Sequence, residues 1–482
     1  MKRCIAISIP VSLALAGAGC PASGDDPAPV TAQQSVAAGP QITHGPMLGD
    51  VRSQRARIWL RLDGPGEVKV RSRPAGGSWS APSQGNATGS DNTVIVPLNG
   101  LTASTEYAYQ LTTDDGASWT TAYKLRTAPP DTAPATFSFV VLTDFLPHAA
   151  PALTRALGDQ PDFGILLGDL DHRGPGKPDG DGDPNNDAEN YLAAMRAMRQ
   201  ELRSATTGFG AAFIGSATAP GFIVNPLRQI PMYYGWDDHD YCDNNADYSC
   251  AARPQAFRVL QDYFVPGRDG DFSSNGGSYQ RIKYGKDVEI FILDGRSWRN
   301  NPKLSMLGTA QKQWLKDGLL AAQQADVKMK FVLSPVPFNR TTKAWDAWAL
   351  YPEERKELVD YIHGKGITGV TIISGDIHSG GAFDDGTNSD FPEISSPQAN
   401  MGDFVNTFLR DKPPTPQAHW THGDSDDGWP NDGTDLPGYV RVDVDGAARR
   451  ATITVRGVRN DPDRDDNVRT AHCGHLLSYT TP

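Results

Sequence analysis

Five apolar runs in this 482-residue chain end in Asp, Asn or His: Phe139–Asp144 (FVVLTD), Phe163–Asp169 (FGILLGD), Pro231–His239 (PMYYGWDDH), Phe331–Asn339 (FVLSPVPFN) and Val370–His378 (VTIISGDIH). Each run has the length of a buried strand bounded by turn residues. In an open parallel sheet, functional groups gather outside the carboxyl ends of the strands. Neighbouring strands would therefore bring Asp144, Asp169, Asp238, His239, Asp376 and His378 to one rim. Carboxylates held that close repel one another, and a bound cation removes the cost. The donors outnumber what one ion needs, so the pattern implies two. Two cations about 3.5–4 Å apart clamp the attacking and leaving oxygens of an in-line displacement. A single Asp after a strand is as well read as a turn residue or helix cap. That reading fits poorly when GDxxH, DDH and GDxH occur in one chain.

Such a rim needs a scaffold. The chain is long enough for two folded units and a leader, and 21% charged and 9% aromatic residues allow a packed core. A net charge of −12 without a basic block argues against a nucleic-acid backbone as partner. Lys2 and Arg3 precede an apolar run, Cys4–Ala18, which closes in Ala16-Gly17-Ala18-Gly19-Cys20. Residues 1–20 read as a signal peptide. Its lipobox-like end makes Cys20 a candidate lipid carrier, with ordinary cleavage nearby as the alternative. The expected location is periplasmic, cell-surface or secreted, and any membrane contact runs through that lipid. Once Cys4 and Cys20 are set aside, Cys242, Cys250 and Cys473 remain; Cys242 and Cys250 can staple one loop, and Cys473 can take either partner.

Residues 21–40, rich in Pro, Ala, Ser and Gln, read as a flexible linker. From residue 41 to 128, alternating runs such as Ala56–Leu62, Glu67–Arg71 and Thr93–Val96 form the pattern of a small β-sandwich, ended by Pro129-Pro130. From 134 onward the texture changes: strand, Ala149–Leu157 helix, strand, which is a βαβ unit. Helical signals recur over Asn190–Ser204, Ala310–Gln324 and Pro352–His363. Residues 380–437 read mostly as loop, and Gly438–Val444 with Ala451–Val455 as a closing hairpin.

These segments resemble the PhoD-type alkaline phosphatases, secreted members of the calcineurin-like metallophosphatase superfamily. The resemblance runs through GPMLGDVRSQRARIWLR, LLGDLDH, IPMYYGWDDHD, FILDGRSWRN, MLGTAQKQWL, SPVPFN, DAWALYPEERKELVDYI and ISGDIHSGG, in that order. It implies an α/β fold: a four-layer α/β/β/α metallophosphatase sandwich over 134–482, preceded by a fibronectin III-like β-sandwich over 41–128. Leu101–Tyr109 resembles the tyrosine-corner segment of fibronectin domains. Carried over by position, Asp169 bridges two metals. Asp144, His378 and His172 complete one site, and Asp238 and Asp376 fall on the second, with His239 beside it. The family usually has cysteine in place of Asp144 and tyrosine in place of His172, both of which favour ferric iron. Two divalent or mixed-valence ions are expected, with Ca, Mn, Zn or Fe as candidates.

The implied activity is phosphate-ester hydrolysis by direct attack of metal-held hydroxide, with Asp169 and His239 as catalytic residues and His239 steadying the developing charge or protonating the leaving oxygen. Asp237 and Arg296 are the substrate-binding candidates, since a guanidinium suits phosphate oxygens; a core salt bridge is the competing reading for Arg296 and Arg299. The expected partner is a small phosphate ester or a phospholipid, and the expected state a monomer. A phosphodiesterase or phospholipase of the same fold is the alternative. A non-catalytic surface binding lipoprotein on a degenerate scaffold is the alternative from another class. His148, His419, His422, His472 and His475, and the run Asp179-Gly180-Asp181-Gly182-Asp183, read as solvated loop residues.

Overall fold

The computed structural model describes residues 39–88, 91–145, 151–170, 196, 227–242, 244–267, 272, 277–300, 304–340, 346–378, 382–399, 420–421, 438–457 and 477–479. The leader, the linker up to residue 38, His148, His172, the Asp171–Asp187 loop, the four later loop histidines, Cys473 and the Asn190–Ser204 helix apart from helical Arg196 lie outside the described residues.

Seven strands come first: β1 (Ile42–Gly49), β2 (Arg55–Leu62), β3 (Gly66–Pro74), β4 (Ser83–Ala87), β5 (Thr93–Asn99), β6 (Glu106–Thr112) and β7 (Tyr123–Arg126). They make two antiparallel sheets, ordered β1-β2-β5 and β4-β3-β6-β7. Strand periodicity sends alternate side chains to opposite faces. Ala56, Ile58, Leu60 and Leu62 of β2 meet Val68 and Val70 of β3 and Tyr109 and Leu111 of β6 in one buried cluster. Trp59 faces the other way and joins the helical core of the rest of the chain, its indole N–H donating to the Asp262 carbonyl at 2.7 Å. The Thr102 N–H donates to the Tyr107 hydroxyl at 2.8 Å, which pins the turn before β6. The Tyr109 hydroxyl donates to the Arg228 carbonyl at 2.6 Å. The leading sheets are therefore fastened to the rest of the chain by buried polar contacts as well as by packing.

The remainder is a mixed α/β fold. Its strands are β8 (Phe137–Leu142), β9 (Phe163–Leu167), β10 (Met232–Gly235), β11 (Gln280–Tyr284), β12 (Val288–Ile292), β13 (Met329–Ser334), β14 (Val370–Ser374), β15 (Ala382–Asp384), β16 (Glu393–Ser395), β17 (Trp420–Thr421), β18 (Gly438–Asp445), β19 (Arg450–Gly457) and β20 (Leu477–Tyr479). One sheet runs β10-β9-β8-β18-β19-β20, with β10, β9 and β8 parallel. The other runs β11-β12-β13-β14-β16-β15-β17, with β12, β13, β14 and β16 parallel. All five apolar runs contain strands: β8, β9, β10, β13 and β14.

The same periodicity sorts the core. Phe139 and Val141 of β8, Ile165 of β9, Ile290 of β12 and Phe331 of β13 belong to one cluster shared by both sheets. Val140, Leu142 and Leu166, from the alternate positions, pack with Ala152, Ala156, Phe257 and Leu260 of the helices Pro151–Gly158 and Arg253–Tyr263. Phe291, Val332 and Ile372 pack with Leu315, Leu319, Leu358 and Ile362 of the helices Gly308–Gln324 and Pro352–Gly364. Strands buried on both faces read as continuous apolar runs, which is why they are visible in the sequence. The mostly-loop reading of 380–437 leaves out three short strands, β15, β16 and β17, that lie there. They are two or three residues long, too short to carry a periodic signal. Among the described residues no helix is long and apolar enough to cross a membrane.

Candidate metal centre

Each candidate donor among the described residues sits just beyond the carboxyl end of a parallel strand. Asp144 follows β8, Asp169 follows β9, Asp238 and His239 follow β10, and Asp376 and His378 follow β14. Donor atoms of Asp144, Asp169, Asp376 and His378 all lie within 4.8 Å of one another, as do those of Asp169, Asp238 and His239. Asp169 belongs to both groups. Resemblance to the family pairs Asp376 with Asp238; in the structure Asp376 also lies beside Asp144 and His378, whose Nε2 is 3.2 Å from Asp376 Oδ1 and 3.4 Å from Asp144 Oδ1.

The backbone at these positions is unusual. Asp144, Asp169, Asp376 and His378 have φ of 58°, 52°, 57° and 52°. Left-handed backbone is uncommon for residues other than glycine, and such outliers concentrate where the fold must aim a side chain. Here the kink turns each donor inward as soon as its strand ends. Two glycines make the approach feasible. Gly168 has φ +109°, and a Cβ there would stand 2.7 Å from the Asp237 nitrogen. A Cβ on Gly375 would stand 2.7 Å from Thr143 Oγ1 and 2.9 Å from the Pro335 carbonyl. The glycine of each GD pair thus lets neighbouring strand ends close up.

Several residues hold the donors in place. Asp240 accepts from the Leu170 N–H at 3.2 Å, from the Asp237 N–H at 3.2 Å and from the Asp169 N–H at 2.5 Å. It ties the β9 and β10 loops together. Asp238 accepts from the N–H of His239 at 2.8 Å and of Asn245 at 2.6 Å. Asp294, beyond β12, accepts from the N–H groups of Ser278, Arg296 and Ser297 at 2.7, 3.0 and 2.9 Å. Sequence reasoning missed Asp240, Asp294 and Asp346. A signal exists for the first two, in the third Asp of WDDHD and in the apolar run FILD, which ends like the other five.

Arg296 and Asp237, the substrate-binding candidates, are both buried, at 0% and 1% exposure. Arg296 Nε binds Asp237 Oδ1, and Nη2 lies 2.9 Å from Asp346, 3.6 Å from Asp238 and 3.9 Å from Asp376. Arg299 also binds Asp346 and donates to the Tyr351 hydroxyl at 2.8 Å. The structure thus places a buried cation beneath carboxylates of both groups. Burial pushes the Asp237 carboxyl well above the usual range, with Asp238, Asp169 and Asp376 adding to the shift and Arg296 opposing it.

Behind β14, the Ser374 hydroxyl and the Phe338 N–H donate to Glu393 at 2.7 and 2.8 Å. Burial raises this carboxyl to about 7. Its folded value lies above its unfolded one, so the native state binds more protons between about pH 4.5 and 7 and stability falls as pH rises through that window. Glu393→Gln keeps the shape and removes the ionisation. Its unfolding free energy, compared with that of the parent at pH 5 and pH 9, is expected to gain up to about 3 kcal/mol at the higher pH; an equal difference at both would refute the assignment.

The donor set suits metal ions. Buried carboxylates and imidazoles within 4.8 Å match hard and borderline divalent cations in ligand type. Arg296 offsets part of their mutual repulsion, and bound cations would offset far more. Cys242 and Cys250 are joined in a disulfide immediately after the Asp238–Tyr241 helix.

The family described as PhoD-like phosphatase matches residues 223–452. Residues 39–131 match a domain of unknown function, DUF7800. Alkaline phosphatase D of Bacillus subtilis (strain 168) is 25% identical over 217 residues, a match that spans 37% of this chain and 36% of that protein. The solved structure of PhoD superposes with a TM-score of 0.65 at 18% identity, covering 88% of this chain and 87% of that one; at that identity the likeness speaks for the fold.

Proposed function

We propose that this chain, which belongs to the PhoD-like phosphatase family, is an exported phosphoric ester hydrolase that works with two metal ions and acts on phosphomonoesters. One observation carries the reading: Asp169 is shared between two compact groups of donors, each made of buried carboxylates and a partly exposed histidine. Such bound cations supply positive charge for the phosphoryl oxygens and activate water. Asp144, Asp376 and His378 would hold one ion and Asp238 the other, with Asp169 common to both and His239 beside the second. His172 is assigned to the first site by resemblance. His239, only half buried, would give a proton to the leaving oxygen. Asp237 and Arg296 orient the carboxylates from beneath.

The shared apolar cluster between the two sheets, with helices packed on the opposite faces, supports a four-layer α/β/β/α reading. The two leading sheets and the Thr102–Tyr107 bond support a fibronectin III-like reading of the leading unit. Export, with a lipid on Cys20, rests on the basic and apolar leader.

The test begins with dialysis against a chelator. Removing the ions is expected to abolish hydrolysis of p-nitrophenyl phosphate and to lower the melting temperature. Restoring Ca, Mn, Zn or Fe at a hundredfold excess over Kd is expected to return about 2.7 kcal/mol for each site filled. Metal analysis counts the ions. Faster turnover of the bis ester than of the monoester would make the protein a diesterase. Neither turnover nor metal uptake under any of these ions would end the hydrolase reading.

A further inference from the structure

Among the described residues, the large hydrophobic side chains that stand exposed are Tyr248, at 51%, and Leu304, at 69%. Isolated exposed apolar residues need no explanation, but these two lie on adjoining loops. The Tyr248 N–H donates to the Arg299 carbonyl at 2.8 Å, and the Leu304 N–H donates to Asn300 Oδ1 at 3.0 Å. Both loops start at the candidate metal centre. The first leaves the Asp238–Tyr241 helix, is closed by the Cys242–Cys250 disulfide, and returns to the site where the Asn245 N–H meets the Asp238 carboxylate at 2.6 Å. The second begins directly after Arg296, and Arg299 binds the same Asp346 as Arg296 does.

The exposed tyrosine has a firm backing. Its ring stacks on Trp298 with centroids 5.8 Å apart and planes 26° apart. The Arg253 guanidinium lies 4.5 Å from the Trp298 ring and 5.3 Å from the Tyr248 ring. A ring held this way loses little freedom when a ligand covers it. We propose that Tyr248, backed by Trp298 and with Leu304 on the adjoining loop, seats the organic group of the ester, and that this group is flat and apolar, such as an aryl alcohol. Two side chains are far too little for a stable protein interface, which needs on the order of 1,000 Å²; they match a single ring. With its cations bound the carboxylate-lined centre would take the phosphate, and the aromatic edge takes the group esterified to it. This deepens the hydrolase reading and rests on it.

The measurement is a ratio of kcat/KM, p-nitrophenyl phosphate over glycerol 2-phosphate, for the full chain with its metals. Tyr248→Ala is expected to lower the ratio about three- to tenfold, mainly through KM for the aryl ester. Tyr248→Phe should restore it, because stacking needs the ring and not the hydroxyl. Leu304→Ala should lower it less. An unchanged ratio in Tyr248→Ala overturns the proposal, as does an equal loss on both esters. If the parent protein turns over neither ester, the hydrolase reading falls. The aromatic contact is then decided by binding: phenylphosphonate should lose affinity in Tyr248→Ala relative to methylphosphonate, and equal losses or none overturn it.

Discussion

Asp169→Asn is expected to lower kcat/KM for p-nitrophenyl phosphate by about a thousandfold or more, the scale on which a single electrostatic contact to a developing charge acts. Among the described residues this carboxylate is the donor common to both groups. Its left-handed backbone and the Asp240 anchor on its N–H fix it where the two groups meet. The amide keeps the shape but removes the negative charge that would hold a pair of ions together. Stability gives a second readout of opposite sign. Without metal, deleting one of several crowded carboxylates relieves repulsion, so the metal-free variant should melt above the metal-free parent. With metal, the gain on adding ions should shrink, and metal analysis should show fewer ions bound. Asp144→Asn touches one group alone and should keep more of the activity. Full activity in Asp169→Asn would remove the basis for a shared ligand.

Much of this arrangement is legible in the sequence because strands buried on both faces leave uninterrupted apolar runs, and the residue that ends each run is chemically conspicuous. FVVLTD, FGILLGD and VTIISGDIH carry strand, turn and donor in one string. The parts that stay hidden have physical causes. The antiparallel insertion of β18 beside β8 pairs Val140 with Arg441, a contact between segments far apart in the chain that local periodicity cannot express. The helix Arg253–Tyr263 is missed by the sequence reading although Ala256, Phe257, Leu260 and Tyr263 recur at helical spacing behind a Pro in its first turn. The partition of donors is likewise beyond the sequence. Which donors stand near Asp376 is set by the fold, and spacing along the chain is silent on that. Buried supporting carboxylates such as Asp240 and Asp346 look in sequence like the donors they hold.

Arg296→Met separates support from substrate contact. Arg296 is wholly buried against Asp237 and Asp346 and stands within 4 Å of Asp238 and Asp376. Replacing one partner of a buried ion pair with an apolar side chain strands the other, which costs about 3–5 kcal/mol. Urea unfolding of the metal-free protein should show a loss of that size. The loss should narrow as the pH falls, because burial has already raised the Asp237 carboxyl and protonation then relieves the unpaired charge. Asp346 keeps a cation in the variant, since Arg299 still binds it; Asp237 is the carboxylate left stranded. Adding Asp237→Asn should therefore recover part of the stability, and the non-additivity of the pair measures their coupling. Lysine at 296 should not substitute, because an ammonium cannot serve two carboxylates in the forked geometry of a guanidinium. A residue that met the substrate directly would behave in the reverse way: Arg296→Met would raise KM and leave the unfolding free energy where it was. That outcome would return Arg296 to the role of phosphate clamp and leave the carboxylate floor without its central cation.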